Sequence, residues 1–104
     1  MPINHDFSLK GLRKALGLAQ PDMARRMGLS LRPFQQLELN PDKVRRRHKR
    51  LAESVALDVA IEKEDPELAP ASVREKAMDL ARLILEQNLR HKARKLADIL
   101  LDQR

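Results

Sequence analysis

Punctuation constrains this chain more than any other property. Between Gly17 and Asn40 a glycine or proline recurs at positions 17, 21, 28 and 33. Only helices of about two turns fit between such residues. Ser8 can cap a helix over 9–16, in which Leu9, Leu12 and Leu16 fall at i, i+3 and i+7 and form one apolar stripe. Gly17 then ends it in a left-handed conformation. A second helix runs over 20–27, with Pro21 tolerated in a first turn that needs no N–H partner, and Met23, Ala24 and Met27 on its inner face. Gly28 opens a turn. Ser30 is a good N-cap for a third helix over 31–38, with Pro33 inside its first turn. Phe34 and Leu37 point inward, which leaves Leu31, Arg32, Gln35 and Gln36 on the outer face. Asn40 is expected to take a positive φ and stop the helix ahead of Pro41.

The rest of the chain is also helical in pattern. Pro41 or Asp42 begins a fourth helix extending to Lys63, with Val44, Leu51, Val55 and Val59 as its apolar face and Ala52, Ala56 and Ala60 beside them. Residues 64–70, EDPELAP, read as a short linker. Ser72 with Glu75 forms a capping-box pattern for a last helix over 72–102. No segment alternates with a period of two, so no sheet is expected. The expected fold is all-α, a helix-turn-helix bundle of four to five helices with a long C-terminal helix used for dimerisation. Residues 1–63 would be the helix-turn-helix domain and 64–104 the helical dimerisation region. Phe7 and Phe34 are the only aromatic residues, so Leu, Ile, Val, Met and Ala must supply the core. Residues 1–7 read as a loose arm.

Several functional classes fall away on residue types. Without cysteine there is no disulfide framework, thiolate zinc site or cysteine nucleophile. His5, His48 and His91 stand isolated, without ligand spacing, and read as solvated or capping residues. No Ser/His/Asp set, metal cluster or glycine-rich phosphate loop occurs, so neither an enzyme nor a cofactor is expected. No apolar run approaches the roughly 18 residues of a membrane span, and the first ten residues lack the apolar centre of a signal peptide. A cytoplasmic protein is the expectation.

Charge separates the two halves. Residues 1–50 hold 12 Lys/Arg against 4 Asp/Glu, whereas 51–104 hold 9 against 11. All the excess positive charge therefore lies in the half that contains the three short helices, where a polyanion would be met. Lys43, Arg45, Arg46, Arg47, Lys49 and Arg50 follow directly after the third helix, and cannot all share one helix face. Lys10, Arg13 and Lys14 are weaker candidates for meeting a polyanion. Arg90, Lys92, Arg94 and Lys95 form a second cluster that reads as solvated.

The spacing of Leu12, Arg13, Leu16, Gly17, Leu18, Gln20, Met23, Ala24, Met27, Gly28, Leu29, Ser30, Phe34, Leu37 and Glu38 resembles the lambda-type phage repressor and Cro helix-turn-helix family, also called the XRE family. The resemblance covers residues 9–40 and extends as a plausible fourth helix to about 60. It implies that the third helix enters the major groove of double-stranded DNA. Ala24 would then be the crossing point of two helices, and Gly28 the turn. Gln20 would bond a phosphate and brace the reading helix. Ser30 would cap that helix, bond phosphate, or both. Leu31, Arg32, Gln35 and Gln36 would face bases: Arg suits guanine O6 and N7, Gln suits adenine N6 and N7, and Leu31 suits a thymine methyl. Of Lys43, Arg45, Arg46, Arg47, Lys49 and Arg50, about half would lie on phosphate and the rest in solvent, each contact adding about 0.9 to the slope of log K against log salt. The chain departs from the family at Leu37, often tryptophan there, at Asn40, usually glycine, and at Pro21 and Pro33.

One short reading helix contacts few base pairs, so a symmetric dimer on a palindromic operator is implied. A helix of about 30 residues is about 45 Å long, and so small a domain cannot bury its apolar stripe alone. Ala77, Leu80, Ala81, Ile84 and Leu85 are the expected dimer interface, the alternative being a helix that folds back on its own core. The resemblance implies a transcriptional repressor or autoregulator, as found in phage, toxin–antitoxin and anti-CRISPR-associated operons. Two other readings stand beside it. One is an RNA-binding regulator, which the scarcity of aromatics disfavours. The other is an antitoxin-like module whose C-terminal helix engages a protein partner.

Overall fold

Three helix ends in this chain are built from the same hydrogen-bond pattern, and together they set the fold. A computed structural model describes residues 7–102; the remainder of the expected N-terminal arm, with His5, lies outside the described residues. The Ser8 hydroxyl accepts the Gly11 N–H at 2.9 Å and caps α1 (Leu9–Leu16). At its far end Gly17 adopts φ 72°, its N–H donating to the Lys14 carbonyl while Leu18 N–H donates to that of Arg13. This is a Schellman closure, which requires a left-handed residue. α2 (Gln20–Arg26) ends the same way. Gly28, at φ 75°, donates to Arg25, and Leu29 donates to Ala24 at 2.8 Å. That closure turns the chain into α3 (Leu31–Leu39).

α3 does not end as expected. Asn40 lies at φ −126°, not in the left-handed region; its N–H donates to the Gln36 carbonyl and its side-chain amide reaches the same oxygen at 3.3 Å. These bonds satisfy the helix end without a positive φ. Nor is there a continuous fourth helix from residue 41 or 42. Pro41–Lys43 forms a single 3-10 turn, Val44 and Arg45 are extended, and α4 runs from Arg46 to Glu62. The break lets Val44 turn into the core, and His48 supplies the cap: its Nδ1 accepts the Arg45 N–H at 2.9 Å.

α4 ends in the third Schellman closure, and here the left-handed position is not glycine. Glu64 holds φ 53°, donating to Ile61, while Asp65 donates to Ala60 at 2.9 Å. The next residues are more than a linker. The Asp65 carboxylate accepts the Glu67 N–H and caps a 3-10 turn at Pro66–Leu68, which packs against α4 and brings Leu68 and Ala69 to the core. The first compact unit therefore extends to Pro70.

The core of that unit is aliphatic apart from Phe34. Leu9, Leu16, Met23, Ala24, Met27, Phe34, Leu37, Val44, Val55 and Val59 are buried, with Ala52, Ala56 and Ala60 where α4 passes closest. Leu51, expected on the inner face of α4, is 40% exposed; the alanine row faces inward and turns Leu51 to the side. Phe7 packs on this core and so does not belong to a loose arm. The Lys63 ammonium donates to the Leu16 carbonyl at 3.0 Å, tying the end of α1 to the end of α4.

The second unit is α5 (Ala71–Asp102), a single helix of 32 residues. It begins one residue before Ser72, which lies inside its first turn. The described residues contain five α-helices and no strand, an all-α architecture. None of these helices is long and apolar enough to cross a membrane.

Candidate nucleic-acid interface

The outer face of α3 is held in place by a buried ionic network. Glu38, near its end, points back toward α1 and α2. Its Oε2 accepts the Arg13 Nε at 2.7 Å, and its Oε1 accepts both Arg13 Nη2 at 3.2 Å and Gln20 Nε2 at 2.7 Å. The two ionic side chains are only 12% and 3% exposed. Arg13 also donates to the Leu18 carbonyl at 3.0 Å, so one guanidinium ties α1, the α1–α2 turn and α3 together. Burial opposes ionisation of Glu38, but the bonds from Arg13 and Gln20 outweigh it and hold the carboxyl below its usual range. The group is a carboxylate and accepts only.

Arg13 was expected as a weaker phosphate candidate. Its donors are committed to Glu38 and Leu18, so it belongs to the interior. The signal for this lay in the sequence. Leu9, Leu12, Arg13 and Leu16 fall at i, i+3, i+4 and i+7, and a charge in a core-facing stripe requires a buried partner. Glu38 could not be chosen as that partner by spacing, because it lies 25 residues away.

The four expected base-facing residues divide. Leu31, Arg32 and Gln36 are exposed along the outer edge of α3. Gln35 is half-buried, and its Nε2 donates to Gln20 Oε1 at 3.1 Å. Gln20 thus meets both Glu38 and Gln35, which joins α2 to α3 from the inside. Gln20, Arg32, Gln35 and Gln36 line one shallow depression of about 390 Å³ together with Lys10.

The expected phosphate residues divide too. Ser30 occupies the cap position of α3, yet its hydroxyl makes no capping bond and is exposed. Lys43, Arg46 and Arg47 are exposed, with no ion pair among the described residues. Arg45 turns back, its Nη1 donating to the Asp42 carbonyl at 3.2 Å. Lys49 is half-buried with its ammonium 5.8 Å from the centre of the Phe7 ring. The basic run therefore presents part of its charge outward and spends part on its own fold.

On α2 positive charge is neutralised. Arg26 makes a two-pronged pair with Glu62 at 3.0 and 3.1 Å, and Arg25 pairs with Asp22 at 3.0 Å. His48, buried at the start of α4, is held below its ordinary pKa, first by burial and then by Arg47 and Arg45. Its cap needs the neutral ring, since Nδ1 must accept. Among the described residues no group of three or more His, Asp or Glu could hold a metal ion.

α5 buries none of its residues. Of the expected interface, Leu80, Ile84 and Leu85 are 48–62% exposed and Ala77 is half-buried. The cluster from Arg90 to Lys95 is exposed throughout. No protein-family model matches the chain, and no curated protein or solved structure matches it.

Proposed function

We propose that this protein is a non-enzymatic, sequence-specific DNA-binding regulator, a repressor that binds a palindromic operator as a homodimer. The observation that carries the reading is the Arg13–Glu38–Gln20 network, which fixes α3 from behind while Arg32 and Gln36 stand exposed in front. A helix held this way presents its side chains to base edges with little backbone freedom left to lose on binding. Arg32 suits guanine and Gln36 suits adenine. Lys43, Arg46 and Arg47, on the turn and helix start that follow, suit phosphates. The absence of any buried residue in α5 supports self-association through Ala77, Leu80, Ala81, Ile84 and Leu85. Two copies would supply the two half-sites that one short helix cannot read alone.

An RNA reading has less support, because Phe34 is buried and Phe7 lies against the core, which leaves neither phenyl ring free for base stacking. An antitoxin-like role would use α5 on a different protein, and would give a monomer on a sizing column where the dimer is expected.

The test is binding to DNA upstream of the protein's own gene, measured for wild type, Arg32→Ala and Gln36→Ala. Each variant is expected to lose about 1–3 kcal/mol of preference at one base step while keeping its affinity for random DNA. Variants that discriminate as the wild type does would overturn the assignment of α3.

A further inference from the structure

Glu38, Gln20 and Gln35 form a chain of hydrogen bonds with only one possible direction. The Glu38 carboxylate is 3% exposed, accepts the Arg13 guanidinium and has no hydrogen to give. The Gln20 amide must therefore turn its nitrogen toward Glu38, as it does at 2.7 Å. Its oxygen is then left to face α3, where it accepts Gln35 Nε2 at 3.1 Å. Reversing either amide would set oxygen against oxygen. The orientation of an exposed glutamine is ordinarily free to flip, but here it is dictated by a carboxylate two residues removed along the chain of bonds.

Gln35 spends one amide hydrogen on Gln20. Its Oε1 and its second N–H remain, an acceptor beside a donor. Adenine offers the matching pair in the major groove, a donor at N6 and an acceptor at N7. Guanine offers two acceptors, O6 and N7, and would set O6 against Gln35 Oε1. Serving both guanine atoms would need both amide hydrogens, and one is already committed. We infer that Gln35 selects adenine over guanine because Glu38, acting through Gln20, fixes the polarity of its amide. Gln20 and Glu38 are thus positioning residues for one base step.

Arg32 and Gln36 are not held in this way. Among the described residues no hydrogen bond engages Arg32, and Gln36 Oε1 meets only the Asn40 amide at 3.5 Å. The inference rests on the reading of α3 as a DNA-facing helix.

Selection of bound sequences from a random duplex library, with the full-length chain, tests both and separates them. Wild type is expected to select adenine at one position in each half-site that Gln35→Ala leaves unselected. Gln20→Met and, separately, Glu38→Gln should keep the selected bases elsewhere but lower the adenine-over-guanine preference at that position at least about fivefold. Glu38→Gln keeps an acceptor for Arg13 and admits either Gln20 orientation, so it serves if Gln20→Met does not fold by circular dichroism. Retention of the full preference in the folded variants overturns the inference, as does a wild-type choice of another base there. Selection of no sequence by wild type overturns the DNA-reading function itself.

Discussion

Arg13 and His48 both belong to the interior, Arg13 as the partner of Glu38 and His48 as the cap of α4. In sequence Arg13 reads as a surface group and His48 as a solvated or capping residue, and of the two readings of His48 the capping one is observed. Removing one member of a buried ion pair strands the other, which costs about 3–5 kcal/mol. Arg13→Met is therefore expected to lower unfolding free energy by that amount in urea denaturation, with the helical signal otherwise intact. A loss below about 1 kcal/mol would show that the Arg13–Glu38 pair behaves as an exposed one. His48 gives a pH dependence whose sign is fixed by its neutral role. Its folded pKa is depressed, so the unfolded chain takes up the proton more readily. The stability it contributes is complete above about pH 6.5, the ordinary histidine value, and is lost as pH falls through the lower folded value. The unfolding temperature should drop from about pH 7 to about pH 5, and His48→Asn, which retains an acceptor for the Arg45 N–H but does not titrate there, should flatten that drop. An equal drop in the variant would remove His48 as its cause.

At the scale of elements, the short helices were legible because their signals are local. Ser8, Gly17, Pro21 and Gly28 each act within four residues of where they stand, and α1, α2 and α3 fall close to their expected places. The ends of α3 and α4 were less legible. Asn40 resembles a left-handed stop but closes its helix by side-chain bonding, and the start of α4 depends on His48, whose burial is a tertiary fact. Glu64 is the reverse case, a left-handed residue with nothing in its identity to announce it. Since a non-glycine residue costs about 1–2 kcal/mol there and glycine recovers most of that against its own chain entropy, Glu64→Gly should stabilise the protein by up to about 1 kcal/mol. Thermal unfolding measures this directly, and a lower melting temperature would mean that the Glu64 side chain contributes more than its backbone costs. The outer face of α3 was legible from helical spacing alone. The tie from Gln35 to Gln20 was not, since spacing says nothing of contacts between helices.

For the whole molecule, every buried residue among those described lies at or before Ala69. A fragment ending at Pro70 should therefore keep a cooperative unfolding transition, and calorimetry would expose a failure as a broad, featureless melt. If α5 joins two copies, the full chain should elute at twice 12.0 kDa and the fragment at its own monomer mass. The fragment should also lose most of its operator affinity, because the linkage between half-sites would be gone. Equal operator affinity in fragment and full chain would remove α5 from DNA binding.

The network behind α3 also bears on how such a surface could diversify. Arg32 makes no hydrogen bond or ion pair among the described residues, so on the proposed reading a descendant could replace it and acquire a new target while its stability stayed as it was. Gln35 has no such liberty. If α3 reads DNA as proposed, a change at Gln20 or Glu38 would alter what Gln35 recognises and also loosen the attachment of α3. Lineages that retarget through position 35 would have to alter three residues on two helices together, so this half of the surface would drift slowly and the other half quickly.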